Sequence, residues 1–163
     1  MAGTSSRVLV TLLFAAAMLS AGILSSPAQT PAQPLATAEF SEDPNLRCEI
    51  LEVKRVSGGA LNVRWRLVNG AGPPGGLAAS SGKPIRYDFG WEQLYYIDPA
   101  ENKKYQFLTD SGGNRIVSVF YGALQPGQQR VSWAKFPAPP AASAKISIYI
   151  PHFPPFEDVP ISQ

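Results

Sequence analysis

Leu61, Val63, Trp65 and Leu67 alternate with Asn62, Arg64, Arg66 and Val68, the sharpest pattern of apolar and polar positions in the chain. Successive side chains of a strand point to opposite faces, so this spacing predicts a strand with an apolar stripe inward and two arginines outward. Ahead of it, Glu49 to Val56 carries Ile50, Leu51, Val53 and Val56, and Ser57-Gly58-Gly59 supplies a turn, so the two segments read as a hairpin. Short segments rich in aromatic or β-branched residues follow at Pro84–Phe89, Gln93–Ile97 and Lys103–Leu108, with Asp98 to Asn102 as the polar loop of a second hairpin. Asp110-Ser111-Gly112-Gly113-Asn114 is a turn leading into Ile116–Phe120. Leu124 to Gln128 is another, ahead of Arg130–Phe136, where Val131 and Trp133 share one face with Gln129 and Lys135, and Trp133 is expected to supply buried area. Lys145–Ile150 places Ile146, Ile148 and Ile150 on one side.

No ten-residue window keeps a helical period. Seven to eight short strands separated by turns predict an all-β fold, an antiparallel β-sandwich, with a small barrel as the alternative. The 16 prolines would break a helical bundle but suit strand ends and loops. Asn69–Lys83 is a Gly-, Pro- and Ser-rich loop, longer than a simple connection needs. Gln29–Ala38, uncharged and without periodicity, reads as a flexible linker, with the folded domain expected from about Pro44 onward. The boundaries are thus an N-terminal segment over 1–28, a linker over 29–43 and one domain over 44–163 that ends in a Pro-rich C-terminal tail.

The N-terminal segment carries Arg7, the apolar run Val8 to Leu24 and then Ser25-Ser26-Pro27-Ala28. A basic start, an apolar middle and small residues before a cut are what an export channel and a signal peptidase require. Small residues at Ser26 and Ala28 place the cut before Gln29. The run also admits reading as an uncleaved anchor, since a spanning helix needs about 17 to 25 apolar residues. Ala15, Ala16, Ala17, Ser20, Ala21 and Gly22 weaken it in that role. The chain is expected outside the cytoplasm, in the periplasm or beyond the cell, and in contact with a membrane only if the segment stays uncut.

Taking Arg7 from the 14 basic residues leaves them nearly balanced by the 12 acidic ones. That lacks the strong basic field of a dedicated nucleic-acid binder, so no nucleic-acid partner is expected. The single cysteine, Cys48, cannot form an internal disulfide, and beside Ile50, Leu51 and Val53 it is expected to be buried.

Trp133-Ala134-Lys135-Phe136-Pro137-Ala138-Pro139-Pro140, Ile146-Ser147-Ile148-Tyr149-Ile150-Pro151 and Pro155-Phe156-Glu157-Asp158-Val159-Pro160-Ile161 resemble a bacterial group of exported immunoglobulin-like domains. The strand Val63-Arg64-Trp65-Arg66-Leu67 with Asn69, and the hairpin from Leu94-Tyr95-Tyr96-Ile97-Asp98 to Lys104-Tyr105, are similar to it too. The resemblance spans Pro44 to Ile161. It implies an immunoglobulin-like sandwich that occurs alone or ahead of an OmpA-like peptidoglycan-binding domain. It carries over no catalytic residue, and no OmpA-like domain is expected to act here.

Candidate chemistry is sparse. His152 is the sole histidine, and no Gly-x-Ser-x-Gly elbow accompanies it. Two Cys and His residues in all fall short of a structural zinc site, and no metal or cofactor is assigned. Asp98, Glu101, Asn102, Asp110 and Asn114 are residue types that suit calcium, but turns favour them equally. The Gly70 to Gly76 stretch lacks the Lys-Ser/Thr ending of a phosphate loop. The aromatic cluster Tyr87, Phe89, Trp91, Tyr95, Tyr96 and Tyr105 has more to offer, because adjacent strand residues Tyr95 and Tyr96 must face opposite ways. The leading expectation is a non-enzymatic domain of the bacterial cell envelope that contacts an envelope protein or cell-wall glycan. The alternative is a carbohydrate- or small-ligand-binding module using Trp91, Tyr95 and Tyr96, with Arg64 and Arg66 beside them. A third reading, a hydrolase, would draw on Glu92, Asp98 and Glu101.

Overall fold

The alternating stripe forms the centre of the fold. The computed structural model describes residues 33–70, 83–88 and 90–163, the Trp91 side chain excepted. Strands β2 (Leu46–Val56) and β3 (Ala60–Asn69) pair antiparallel from Val56↔Ala60 to Leu46↔Asn69. Their turn needs left-handed backbone at two successive residues, and Gly58 (φ 82°) and Gly59 (φ 69°) supply it without a Cβ to clash. A bulge between Ile50 and Glu52 keeps Ile50 and Val53 both turned inward. On the far side of β3 lies β9 (Gln129–Pro137); β1 (Ala36–Glu39) and β7 (Val117–Ser118) complete a five-stranded sheet of order β1-β2-β3-β9-β7.

The second layer is a four-stranded sheet, β11-β10-β5-β6, built from β5 (Tyr95–Asp98), β6 (Lys103–Gln106), β10 (Lys145–Tyr149) and β11 (Phe156–Pro160). A ribbon of β4 (Ile85–Tyr87) and β8 (Gly122–Leu124) adds Ile85, Tyr87 and Leu124 to the core. The named strands of the described residues all pair antiparallel, and the architecture is an antiparallel β-sandwich. Ile50, Val63, Trp65 and Leu67 from one sheet share a single core with Tyr96, Ile146, Ile148 and Phe156 from the other. The Tyr96 and Phe136 rings meet edge to face at 5.4 Å, spanning the two layers. Each such large side chain contributes about 1.5–3 kcal/mol on burial, which must hold a fold whose lone cysteine, Cys48, is free and buried.

Three features depart from the sequence-based expectation. Strand β1 lies inside the stretch expected to be linker, where Ala36 and Ala38 tuck against β2 and Phe40 is buried. Its small residues carry no visible stripe, but pairing with β2 needs only backbone. On β9 the buried residues are Ser132, Ala134 and Phe136, not Val131 and Trp133; Val131 is 51% exposed. The cause is register: Ser132 stands opposite Trp65, Ala134 opposite Val63 and Phe136 opposite Leu61, and cross-strand partners share a face. The small Ser132 and Ala134 leave room for the Trp65 indole. Finally, the proline-rich C-terminal stretch forms β11, which turns Phe156 and Val159 into the core.

Both long sides of the sandwich are stitched. Beyond β6, Leu108 N–H donates to the Lys135 carbonyl (2.7 Å), carrying the chain from one sheet to the other. Beyond β11, Ser162 N–H donates to the Val53 carbonyl (2.8 Å), and Arg55 N–H donates to the Ser162 carbonyl (2.9 Å). These crossings occupy strand edges that would otherwise template pairing with another chain, and they give the sandwich part of the closure of a barrel.

Candidate functional site

The residues expected to form one face are separated by the fold. Tyr95 and Tyr96 do point to opposite sides of β5. Tyr96 points inward and is fully buried: its ring stacks on Tyr105 at 4.7 Å, and its hydroxyl donates to the Pro137 carbonyl at 2.8 Å. Burial, followed by the neighbouring Tyr105, drives its phenol well above the ordinary range. Tyr95 points outward from the four-stranded sheet, whereas Arg64 and Arg66 point outward from the five-stranded sheet. The outer faces of two stacked sheets look in opposite directions, so the arginines do not flank the tyrosines. Arg66 is engaged by Glu49, through Nε at 2.9 Å and through Nη2, and Arg47 adds a contact at 3.6 Å to the same carboxylate. Arg64 is exposed. Trp91 opens a single 3-10 turn, Trp91–Gln93, and its ring, like Phe89, lies outside the described residues.

Around Tyr95 the outer face is organised as a ladder. Register sets Tyr149 of β10 directly opposite Tyr95, and the two rings stack at 4.5 Å with planes 14° apart. The Lys104 ammonium of β6 lies 3.7 Å from the Tyr95 centroid. Tyr149 already fills one side of that ring, so Lys104 must cover the other. Both faces of Tyr95 are therefore occupied, and the ladder presents ring edges and an ammonium outward.

Beside the ladder lies an open hollow of about 540 Å³ lined by Glu92, Lys104, Gln106, Phe107 and Arg115. The 3-10 turn brings Glu92, while β6 and the residue after it bring Lys104, Gln106 and Phe107. Arg115 follows the Asp110–Asn114 turn and sets its guanidinium 6.0 Å from the Phe107 centroid. The Asp110 carboxylate organises that turn by accepting from Gly112 N–H (2.9 Å), Asn114 N–H (2.8 Å) and Asn114 Nδ2 (2.9 Å). These bonds, those from Asn114 foremost, hold its carboxyl below the usual range. A hollow with two cations, one carboxylate, an amide and a ring can hold a partner's polar and aromatic groups. Tyr149, Lys104, Phe107 and Arg115 escape the sequence reading, although the outward parity of Tyr149 beside Ile148 is a usable signal.

The remaining candidates serve structural positions. Asp98 is buried, accepting from Ser143 Oγ (2.6 Å) and Ala100 N–H (3.0 Å), and Glu101 accepts from the Tyr105 hydroxyl (3.1 Å). Glu92, by contrast, lines the hollow, so the three carboxylates of the hydrolase reading do not converge. His152 adopts a left-handed backbone (φ 65°), its carbonyl accepts from Ser41 N–H and Oγ, and its Nδ1 lies 3.5 Å from Glu42. Burial, and then the adjacent Glu49, raises the Cys48 thiol well above its ordinary pKa. Among the described residues no group of three or more His, Cys, Asp and Glu side chains comes together, and no helix is long and apolar enough to cross a membrane. The proposed export segment lies outside the described residues, as does the Gly-rich loop from 71 to 82.

No family model, curated protein or solved structure matches this chain.

Proposed function

We propose that this is an exported, non-enzymatic immunoglobulin-like domain of the bacterial cell envelope that works by contact with an envelope protein. The reading rests on the export-type N-terminal segment together with one structural observation, the Lys104–Tyr95–Tyr149 ladder beside the open hollow. A ladder of this kind favours a protein partner over a sugar. Sugar rings stack on open aromatic faces, and both faces of Tyr95 are covered. Tyrosine rings with their hydroxyls, and arginines such as Arg115 beside them, are enriched at protein interfaces. A glycan would have to use Tyr149 and the hollow, and it stands as the second reading.

A photo-crosslinking residue placed at Gln106, tested in intact envelopes, examines this directly. The expected result is a discrete protein adduct that weakens in Lys104→Glu and is absent when the probe sits at Thr37 on the opposite layer. Equal adducts at both positions would overturn the reading. Glycan fragments in place of protein would move it to the second one.

A further inference from the structure

The outer face of the five-stranded sheet carries a second feature, independent of the ladder. Two rows run across its strands. One holds Lys54, Asn62 and Lys135, and the next holds Glu52, Arg64 and Trp133. Adjacent strands lie about 4.8 Å apart, so each row places its side chains within reach of one another. Of the carboxylates on this face, Glu49 is paired with Arg66 and Arg47, and Glu39 stands opposite Arg47 at the edge. Glu52 accepts from the neutral Asn62 Nδ2 at 3.2 Å and keeps its charge opposite Arg64. Arg47, Lys54, Arg64, Arg66 and Lys135 thus outnumber the three carboxylates and leave the face net positive. Lys54, Arg64 and Lys135 enter no ion pair among the described residues, and Lys54 and Arg64 are exposed. Between and beside them β9 turns outward the partly exposed Trp133 and the 51% exposed Val131.

The register that buries Phe136 is what puts Trp133 outside, at the cost of leaving a large ring and a valine near water. Three uncommitted cations around such a ring match one kind of surface above others. Lys and Arg attract anionic headgroups, while an amphipathic indole settles at the boundary between headgroup and acyl chain. A soluble polyanion would use the cations but have no place for Trp133 and Val131. From this geometry we propose that the outer face of β2, β3 and β9 docks on an anionic phospholipid surface, with Lys54, Arg64 and Lys135 meeting headgroups and Trp133 entering the interface. The ladder on the opposite layer then faces away from the bilayer, free for its partner.

Vesicle co-flotation of the full chain tests this. Wherever the apolar run Val8 to Leu24 is retained it would add binding to any bilayer, so the readout is the ratio of binding to vesicles with about 30% phosphatidylglycerol over vesicles of phosphatidylcholine alone. Each cation near an anionic surface is worth about fivefold in affinity. Arg64→Glu with Lys135→Glu is therefore expected to lower the ratio by more than about twentyfold, and added salt to lower it in the unaltered chain. Lys104→Glu, on the other layer, should leave it within about twofold. A blue shift of tryptophan emission on anionic vesicles should disappear in Trp133→Phe. Unchanged secondary structure by circular dichroism keeps a loss of binding from being read as misfolding. A ratio near one, or a ratio untouched by the double reversal, overturns the proposal. So does binding to soluble polyphosphate that matches binding to anionic vesicles, which would identify a polyanion site without lipid.

Discussion

The Ser143 hydroxyl donates to the Asp98 carboxylate at 2.6 Å, with both residues buried. The bond ties the end of β5 to the loop ahead of β10. From the opposite side Arg55 donates to the carbonyls of Pro139, Pro140 and Ser143, so that loop is clamped between the two layers. Buried polar groups are costly unless partnered, and this cluster satisfies a carboxylate and several loop carbonyls at once.

Ser143→Ala leaves a carboxylate oxygen without its partner and is expected to cost about 1–3 kcal/mol in urea denaturation. Combined with Asp98→Ala, the loss should fall short of the sum of the two single losses, because both remove the same bond. Strict additivity would show that the pair is not coupled.

Neighbouring tyrosines should behave differently. Tyr96→Phe deletes the hydroxyl that bonds Pro137 and should lower stability by about 1 kcal/mol. Tyr95→Phe retains the outer stack and should stay within about 0.5 kcal/mol of the parent. Reversal of that order in paired urea curves would contradict the assigned parity of β5.

The C-terminal strand is part of the core. Phe156→Ala should cost about 3–5 kcal/mol, as for other buried rings, while Glu157→Ala next to it on the surface should be close to neutral. A thermal melt in which Phe156→Ala unfolds no earlier than Glu157→Ala would mean that β11 is dispensable.

Asp110 provides a pH signature. Its carboxyl titrates lower in the folded chain than the ordinary value of about 3.9. The ionised turn thus contributes stability above that ordinary value and loses it as pH falls through the lower folded one. Carboxyl-carbon NMR should place the Asp110 midpoint below 3.9 or so, and Asn114→Ala should raise it, since the Asn114 bonds are the main cause. An unmoved midpoint in that variant would assign the shift elsewhere.

Cys48 should resist thiol reagents in the native protein at mildly alkaline pH, because burial keeps the thiol protonated as well as covered. Full labelling is expected only in denaturant. Rapid native labelling would place the thiol at the surface.

Strong alternation made the central elements readable in advance. The β2–β3 hairpin, its glycine turn, the inward isoleucines of β10 and the β5–β6 hairpin all follow from local pattern and turn chemistry. The Asp110 turn does too, because an Asx side chain organises its own backbone. Where the local pattern is weak, a neighbour decided. Strand β1 exists because β2 offers an edge, and β11 because β10 offers another. Trp133 faces out because Trp65 already fills the space opposite Ser132. The candidate surfaces belong to this second category. Alternation states that Arg64 and one of the pair Tyr95 and Tyr96 leave the core, but only the fold selects Tyr95 and places it and Arg64 on opposite layers. Only the β5–β10 register brings Tyr149 onto Tyr95. Periodicity acts within a strand and is written in the chain. Register and layer are set between strands, by which side chains compete for the same volume.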